Sequence, residues 1–187
     1  MSVVAWDGMH LAADMQASGQ GVKFCTPKMR RSADGIVYAW TGPFASSQPM
    51  VEWHARGARS DEYPEQQKSD DRWCRLIVAI PGLGIKSYEQ TPAPLEQPTP
   101  WAWGSGMEFA LGAMAMGASA KEAVVVACRF STDCGLGVSV CRPGPFEAED
   151  VHEKWDDHGS ESPQLDLCAR WGGMVFLKSR GDFGCEL

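Results

Sequence analysis

This chain contains no Cys-x-x-Cys pair and no run of about 18 apolar residues. The first absence removes zinc-type ligand spacing, and the second removes a membrane-spanning helix. Positive charge is also short, with 17 Lys and Arg against 24 Asp and Glu and a net charge of −7. A nucleic-acid partner would need clustered bases, so none is expected. Histidines number only 4. His10 stands four residues before Asp14, and His152 and His158 flank an acidic stretch, with no ligand spacing among them. No metal and no cofactor are expected. No basic segment followed by an apolar stretch opens the sequence, so no secretory signal is read. The seven cysteines (Cys25, Cys74, Cys128, Cys134, Cys141, Cys168 and Cys185) are odd in number and scattered. They read as free thiols of a reducing compartment, and the expected location is cytoplasmic, or within an assembled particle.

What is present suits one folded domain. Of 187 residues, 44% are hydrophobic, enough for a core. Ser2–Gly8, His10–Asp14 and Ile36–Gly42 read as short strands punctuated by Gly, Asp and Pro. Pro49–Arg59 follows helical spacing. Residues 60–72 are polar and read as an exposed loop. Leu76–Ile80 is a continuous apolar strand, turned at Gly82-Leu83-Gly84 into a returning strand over Ile85–Glu89. Four prolines between 91 and 100 make an extended connector. Met107–Gly117, nearly uncharged, predicts a helix buried between layers. Ser119-Ala120-Lys121-Glu122 has the capping-box pattern for a helix over Ala120–Arg129. Val138-Ser139-Val140 starts another strand. Beyond Cys141 the composition turns acidic and reads as a solvated loop, with Met174–Leu177 as a short terminal strand. The expected organisation is a domain over 1–141 and an acidic C-terminal extension over 142–187 that contacts neighbouring subunits. The eight tryptophans are expected in the core or at subunit contacts.

The order of pieces in the first 42 residues carries a more specific signal. A strand ends at Asp7-Gly8, Asp14 closes a second strand, Lys28 precedes Met29-Arg30-Arg31, and Trp40-Thr41-Gly42-Pro43 follows a third. Trp103-Gly104-Ser105-Gly106 then leads into a helix, and Asp133 lies in a later loop. This set, over residues 2–141, resembles the proteasome β-subunit and its bacterial relative HslV. The resemblance implies an α+β fold, the four-layer αββα sandwich of the N-terminal-nucleophile hydrolases. It implies a peptide hydrolase, a homo-oligomeric ring and an ATPase unfoldase as partner. By the same resemblance Asp14 and Lys28 match the catalytic-site Asp and Lys, and Gly42 lies near the backbone N–H that holds the oxyanion. Ser105 sits near the catalytic amine, and Asp133 matches the Asp of the later active-site loop. Cys134 and Gly135 stand where the family has a serine shortly after that Asp.

In that chemistry an N-terminal hydroxyl residue activates itself. Its α-amine takes the hydroxyl proton, a nearby Lys favours the free amine, and an Asp holds the Lys. The register of the resemblance places Met1 at the nucleophile's position and Ser2 one residue on. A methionine side chain cannot attack a carbonyl, so activity requires loss of Met1 to expose Ser2. The alternative is a catalytically silent relative that serves as a ring, shell or virion component. Simpler roles stand beside the site readings. Asp14 and Lys28 also suit a surface ion pair, Ser105 the N-cap of the following helix, and Asp133 a turn or cap.

Overall fold

The computed structural model describes residues 2–65, 73–145 and 151–155. In chain order the first strands are β1 (Val3–Trp6), β2 (Leu11–Asp14), β3 (Gln16–Gly19), β4 (Val22–Cys25), β5 (Met29–Arg31) and β6 (Val37–Thr41). Helix α1 (Phe44–Ala55) and a 3-10 turn at Ser60–Glu62 lead to β7 (Arg75–Ile80), β8 (Gly84–Tyr88), β9 (Leu95–Glu96) and β10 (Trp101–Gly104). Helices α2 (Met107–Ala115) and α3 (Ala120–Phe130) precede β11 (Gly137–Cys141) and β12 (Val151–Lys154).

Two five-stranded antiparallel sheets result, in the orders β10-β1-β2-β11-β12 and β5-β6-β7-β8-β9, while β3 and β4 form a separate hairpin. Strand alternation sorts the core into three layers. Val3 and Ala5 pack with α2 and α3, while Val4 and Trp6 face the second sheet and meet Val37, Ala39, Ile77 and Ala79. The opposite faces of β6 and β7 offer Tyr38, Leu76 and Val78 to Met50, Val51 and Trp53 of α1. The order of layers is therefore helix pair, sheet, sheet, helix: the αββα sandwich.

Local chemistry explains several element ends. The capping box at Ser119 forms as its sequence pattern requires, with Ser119 Oγ accepting the Glu122 N–H and Glu122 Oε2 accepting the Ser119 N–H. Asp7 adds a tie between layers. Its Oδ1 accepts the N–H groups of Met9 and His10, and its Oδ2 accepts the Ala120 N–H that opens α3. Burial opposes the Asp7 charge, yet these N–H donors outweigh it and hold its carboxyl below the usual carboxylate range.

Three readings of the sequence need correction. Helix α1 begins at Phe44, and Pro49 lies inside it rather than near its start. Proline lacks the N–H that would bond the Ala45 carbonyl. One carbonyl earlier, the Ser47 hydroxyl donates to Phe44 O at 2.7 Å. Helix α2 is not buried between layers. Only Ala110 and Met114 are buried, because α2 belongs to the outermost layer and packs on one side alone, against α3, β1 and β10. Met107, Leu111 and Ala113 are partly buried against the same core, while Phe109 is exposed and stacks on Phe130 of α3. Finally, Val151–Lys154 is not loop but the edge strand β12, paired with β11 and tied to α3 by the Lys121–Glu153 ion pair. The predicted strand at Met174–Leu177 lies outside the described residues.

Candidate active site

Strand register assembles this site. Pairing of β1 with β2 sets Val4 opposite Ala13, which brings Asp14 across from Val3. Pairing of β1 with β10 sets Val3 opposite Gly104, which brings Ser105 across from Ser2. Pairing of β2 with β11 sets Asp14 opposite Val138, so the loop before β11 lies over the same carboxylate. Lys28 arrives from the second sheet. It precedes β5, and its carbonyl accepts the Trp40 N–H of β6 at 3.2 Å.

Asp14 is fully buried and accepts four hydrogen bonds. Oδ1 accepts the Val3 N–H at 2.9 Å and the Lys28 Nζ at 2.7 Å. Oδ2 accepts the N–H groups of Gln16 at 3.1 Å and Gly135 at 3.3 Å. The Lys28 side chain is only 6% exposed. The pair is thus not the surface contact that the sequence also allowed. A buried ion pair is tolerated only with its remaining lone pairs satisfied, and here three backbone donors do so.

Ser105 is not the N-cap of α2; that position is Gly106, and no side chain caps the helix. The Ser105 hydroxyl is engaged with Ser2 instead. It accepts the Ser2 N–H at 3.2 Å and donates to Ser2 O at 3.3 Å. Gly106 N–H adds a longer bond to the same carbonyl at 3.4 Å. Gly104 permits this approach, since its φ is +91° and a Cβ there would stand 2.1 Å from Ser2 O. Ser2 is 2% exposed, and its Oγ has no hydrogen-bond partner among the described residues.

Gly42 directly follows β6, whose last residue, Thr41, lies against this group. The Cβ position of Gly104 lies 3.4 Å from Thr41 Cγ2. Gly42 has φ +99°, and a Cβ on it would collide with the Trp73 carbonyl at 2.3 Å. Among the described residues its N–H meets no acceptor. Asp133 shares the loop with Gly135, but its N–H bonds Ser131 Oγ at 3.3 Å, a local turn, and its carboxylate stays outside the Asp14 network. Cys134 is buried under Gly106, whose Cβ position is 2.9 Å from Cys134 Sγ. Burial, helped by the Asp14 charge, pushes its thiol up to about 11, although Ser131 and Ser105 hydrogen bonds oppose this.

The structure therefore brings together Ser2, Asp14, Lys28 and Ser105, sets Thr41, the residue before Gly42, against Gly104, and leaves Asp133 aside. Sequence reasoning missed Gln16. Its only signal was a polar residue two places after Asp14.

The fold has counterparts among solved structures. BPH from Thiobacillus denitrificans, in complex with epoxomicin, is 22% identical; the match covers 78% of this chain and 100% of that one, at TM-score 0.57. HslV from Trypanosoma brucei is 18% identical, with 74% and 96% covered and TM-score 0.56. Anbu (ancestral β-subunit) from Yersinia bercovieri is 16% identical, with 84% and 88% covered and TM-score 0.58. This chain has the proteasome-type N-terminal-nucleophile hydrolase fold. No protein-family model and no curated protein matches it. At such identities the shared property of the proteasome-type proteins and this chain is the architecture. Function must be argued from the site.

Proposed function

We propose that the chain is a peptide hydrolase of the N-terminal-nucleophile type, with Ser2 as nucleophile once the residue before it is removed. The observation that carries this reading is the contact of Ser2 N with Ser105 Oγ at 3.2 Å. The resemblance puts the catalytic amine beside that serine, and here the nitrogen beside it belongs to Ser2. The nucleophile of this reading therefore stands one residue later than the sequence register of the resemblance places it. Alternation along β1 also sets Ser2 on the side of Val4 and Trp6, toward the second sheet that supplies Lys28 and Gly42.

The steps follow from these groups. A free Ser2 amine takes the Oγ proton, and Oγ attacks the carbonyl carbon of the scissile peptide. The negative oxygen that develops needs a fixed donor, and the Gly42 N–H, which meets no acceptor among the described residues, is assigned that role. The amine proton passes to the leaving nitrogen as the peptide bond breaks, leaving an ester on Ser2. Water, deprotonated by the same amine, then hydrolyses the ester. Lys28 disfavours a protonated Ser2 amine through its own charge. Asp14 fixes Lys28 and, through the same Oδ1, the N–H of the residue after Ser2.

The silent structural relative is the second reading, and the burial of Ser2 favours it, since a nucleophile at 2% exposure is closed to substrate. One experiment separates the two. Intact mass of the purified chain reports loss of Met1, and epoxomicin, found on the Thiobacillus BPH, is the probe. A single adduct absent from Ser2→Ala supports the hydrolase. Retained Met1 with no adduct and no peptide cleavage leaves the structural role.

Self-assembly is part of the proposal under either reading. It is supported by the exposed Phe109–Phe130 stack on the helix layer and by exposed Val22 and Phe24 on the β3–β4 hairpin. A homo-oligomeric ring with an ATPase unfoldase follows from the resemblance, and the acidic extension beyond Cys141 is assigned to contacts between copies. Light scattering on a chain lacking residues 156–187 tests that assignment, because β12 is kept; an unchanged assembly refutes it.

A further inference from the structure

We propose that Gln16 is a positioning residue: its side-chain amide clamps the loop from Ser131 to Gly137 so that the Gly135 N–H is delivered to Asp14. The catalytic consequence rests on the reading of Ser2 as nucleophile; the clamp itself does not.

Gln16 opens β3 and is 5% exposed. A buried amide must find partners, and this one spends them on a single remote loop. Its Nε2 donates to Thr132 O at 3.0 Å. Its Oε1 faces Gly135, where a Cβ would stand only 2.9 Å away. Its own N–H donates to Asp14 Oδ2. Other groups also hold the loop: the Met15 N–H at 3.2 Å from Gly135 O and Gly137 O, Lys23 Nζ at 3.3 Å from Thr132 O, and Cys25 Sγ at 3.6 Å from Leu136 O. Among the described residues outside the loop, Gln16 alone bonds both the loop and the carboxylate.

The consequence lies in how Asp14 divides its oxygens. Oδ1 serves the site through Val3 and Lys28, and Oδ2 serves the frame through Gln16 and Gly135. The carboxylate torsion is broad by itself, so its plane is set by its donors. The Gly135 bond, at 3.3 Å, is the longest of the four. Losing it lets the carboxylate turn away from the fixed Val3 N–H, and the Lys28 side chain follows it. Ser2 then sits beside a misplaced ammonium while substrate contacts elsewhere are untouched.

The test uses the full chain, labelled with nitrogen-15. Gln16→Met keeps the length and removes the donor; Lys23→Met removes the other side-chain donor on Thr132 O without touching Asp14. In Gln16→Met the Gly135 amide should exchange about tenfold faster and its proton resonance should move upfield, with the Val124 amide in α3 unchanged. Lys23→Met should stay within about twofold of the parent. In the hydrolysis assay Gln16→Met should lower kcat about tenfold at nearly constant KM. Unchanged Gly135 exchange, an equal effect of Lys23→Met, or a loss confined to KM overturns the proposal. Should Gln16→Met fail to fold, the side-chain amide protons of Gln16 in the parent decide. Protection matching that of Gly135 supports the clamp, and free exchange overturns it. A parent chain with no hydrolysis removes the peptidase reading, while the exchange data still judge the clamp.

Discussion

Neutralising the two ends of the Asp14–Lys28 pair should cost unequal amounts, and the inequality follows from the hydrogen-bond count. Lys28→Met leaves the Asp14 carboxylate buried but still bonded to the N–H groups of Val3, Gln16 and Gly135. The methionine stem refills the aliphatic path of the lysine. The loss is then close to one charge-assisted hydrogen bond, about 2 kcal/mol. Asp14→Asn does more damage. Lys28 Nζ has Asp14 as its only hydrogen-bond partner among the described residues, so the ammonium is stranded in a site that admits little water. The asparagine amide must also point its NH₂ at groups that are themselves donors. A broken buried pair of this kind costs about 3–5 kcal/mol. Removing the stranded charge as well, in Asp14→Asn with Lys28→Met, should recover part of the loss and give a coupling of about 2 kcal/mol. Urea titration of the four proteins, with midpoints compared at constant slope, measures each value. Asp14→Asn less costly than Lys28→Met would refute the reasoning, as would two losses that add to within about 0.5 kcal/mol.

Gly104→Ala should disrupt the site from the backbone side. Its Cβ would overlap Ser2 O at 2.1 Å and its φ of +91° disfavours any side chain, so the variant should melt lower and lose epoxomicin labelling even with Ser2 intact. Ser119→Ala should remove about 1 kcal/mol of stability, read by urea midpoint, and leave labelling unchanged, because the capping box lies far from Ser2 in the helix layer. His54 supplies the pH prediction. Burial between α1 and the sheet, beside Tyr38 and Tyr88, lowers its pKa, so the folded protein prefers the neutral ring, which also contacts the Tyr38 hydroxyl at 3.3 Å. Above the unfolded value near 6.5 its contribution is intact; as the pH falls from there through the lowered folded value, the unfolded chain binds the proton first and stability is lost. Melting temperatures at pH 7.5 and 5.5, about one unit either side of that value, should therefore differ more in the parent than in His54→Leu; equal slopes would count against it.

How much of this was legible in the sequence depends on whether a residue's partner is near or far along the chain. The capping box at Ser119 and the turn at Gly82-Leu83-Gly84 are local, and both form as read. The meeting of Asp14 with Lys28 and of Ser105 with Ser2 was legible through family resemblance, which preserves strand order and therefore register. Burial was not: the Asp14–Lys28 pair also read as a surface contact, and only the fold shows that backbone donors from β1, β3 and the loop before β11 close over it. The same limit explains α2, whose apolar composition signals burial but cannot say that the helix has a single neighbouring layer. It explains Ser105 too, where a serine just ahead of a helix has the composition of a cap, yet the pairing of Val3 with Gly104 turns its hydroxyl to Ser2. Gln16 is the extreme case. Its partner Thr132 lies 116 residues away and contributes a carbonyl, which every residue has. A side chain that recognises backbone leaves no complementary residue to find, so such a clamp is visible only once the fold has brought the loop to it. Chemistry carried by side-chain pairs can thus be anticipated from order and spacing, whereas the backbone groups that complete the site must be found in three dimensions.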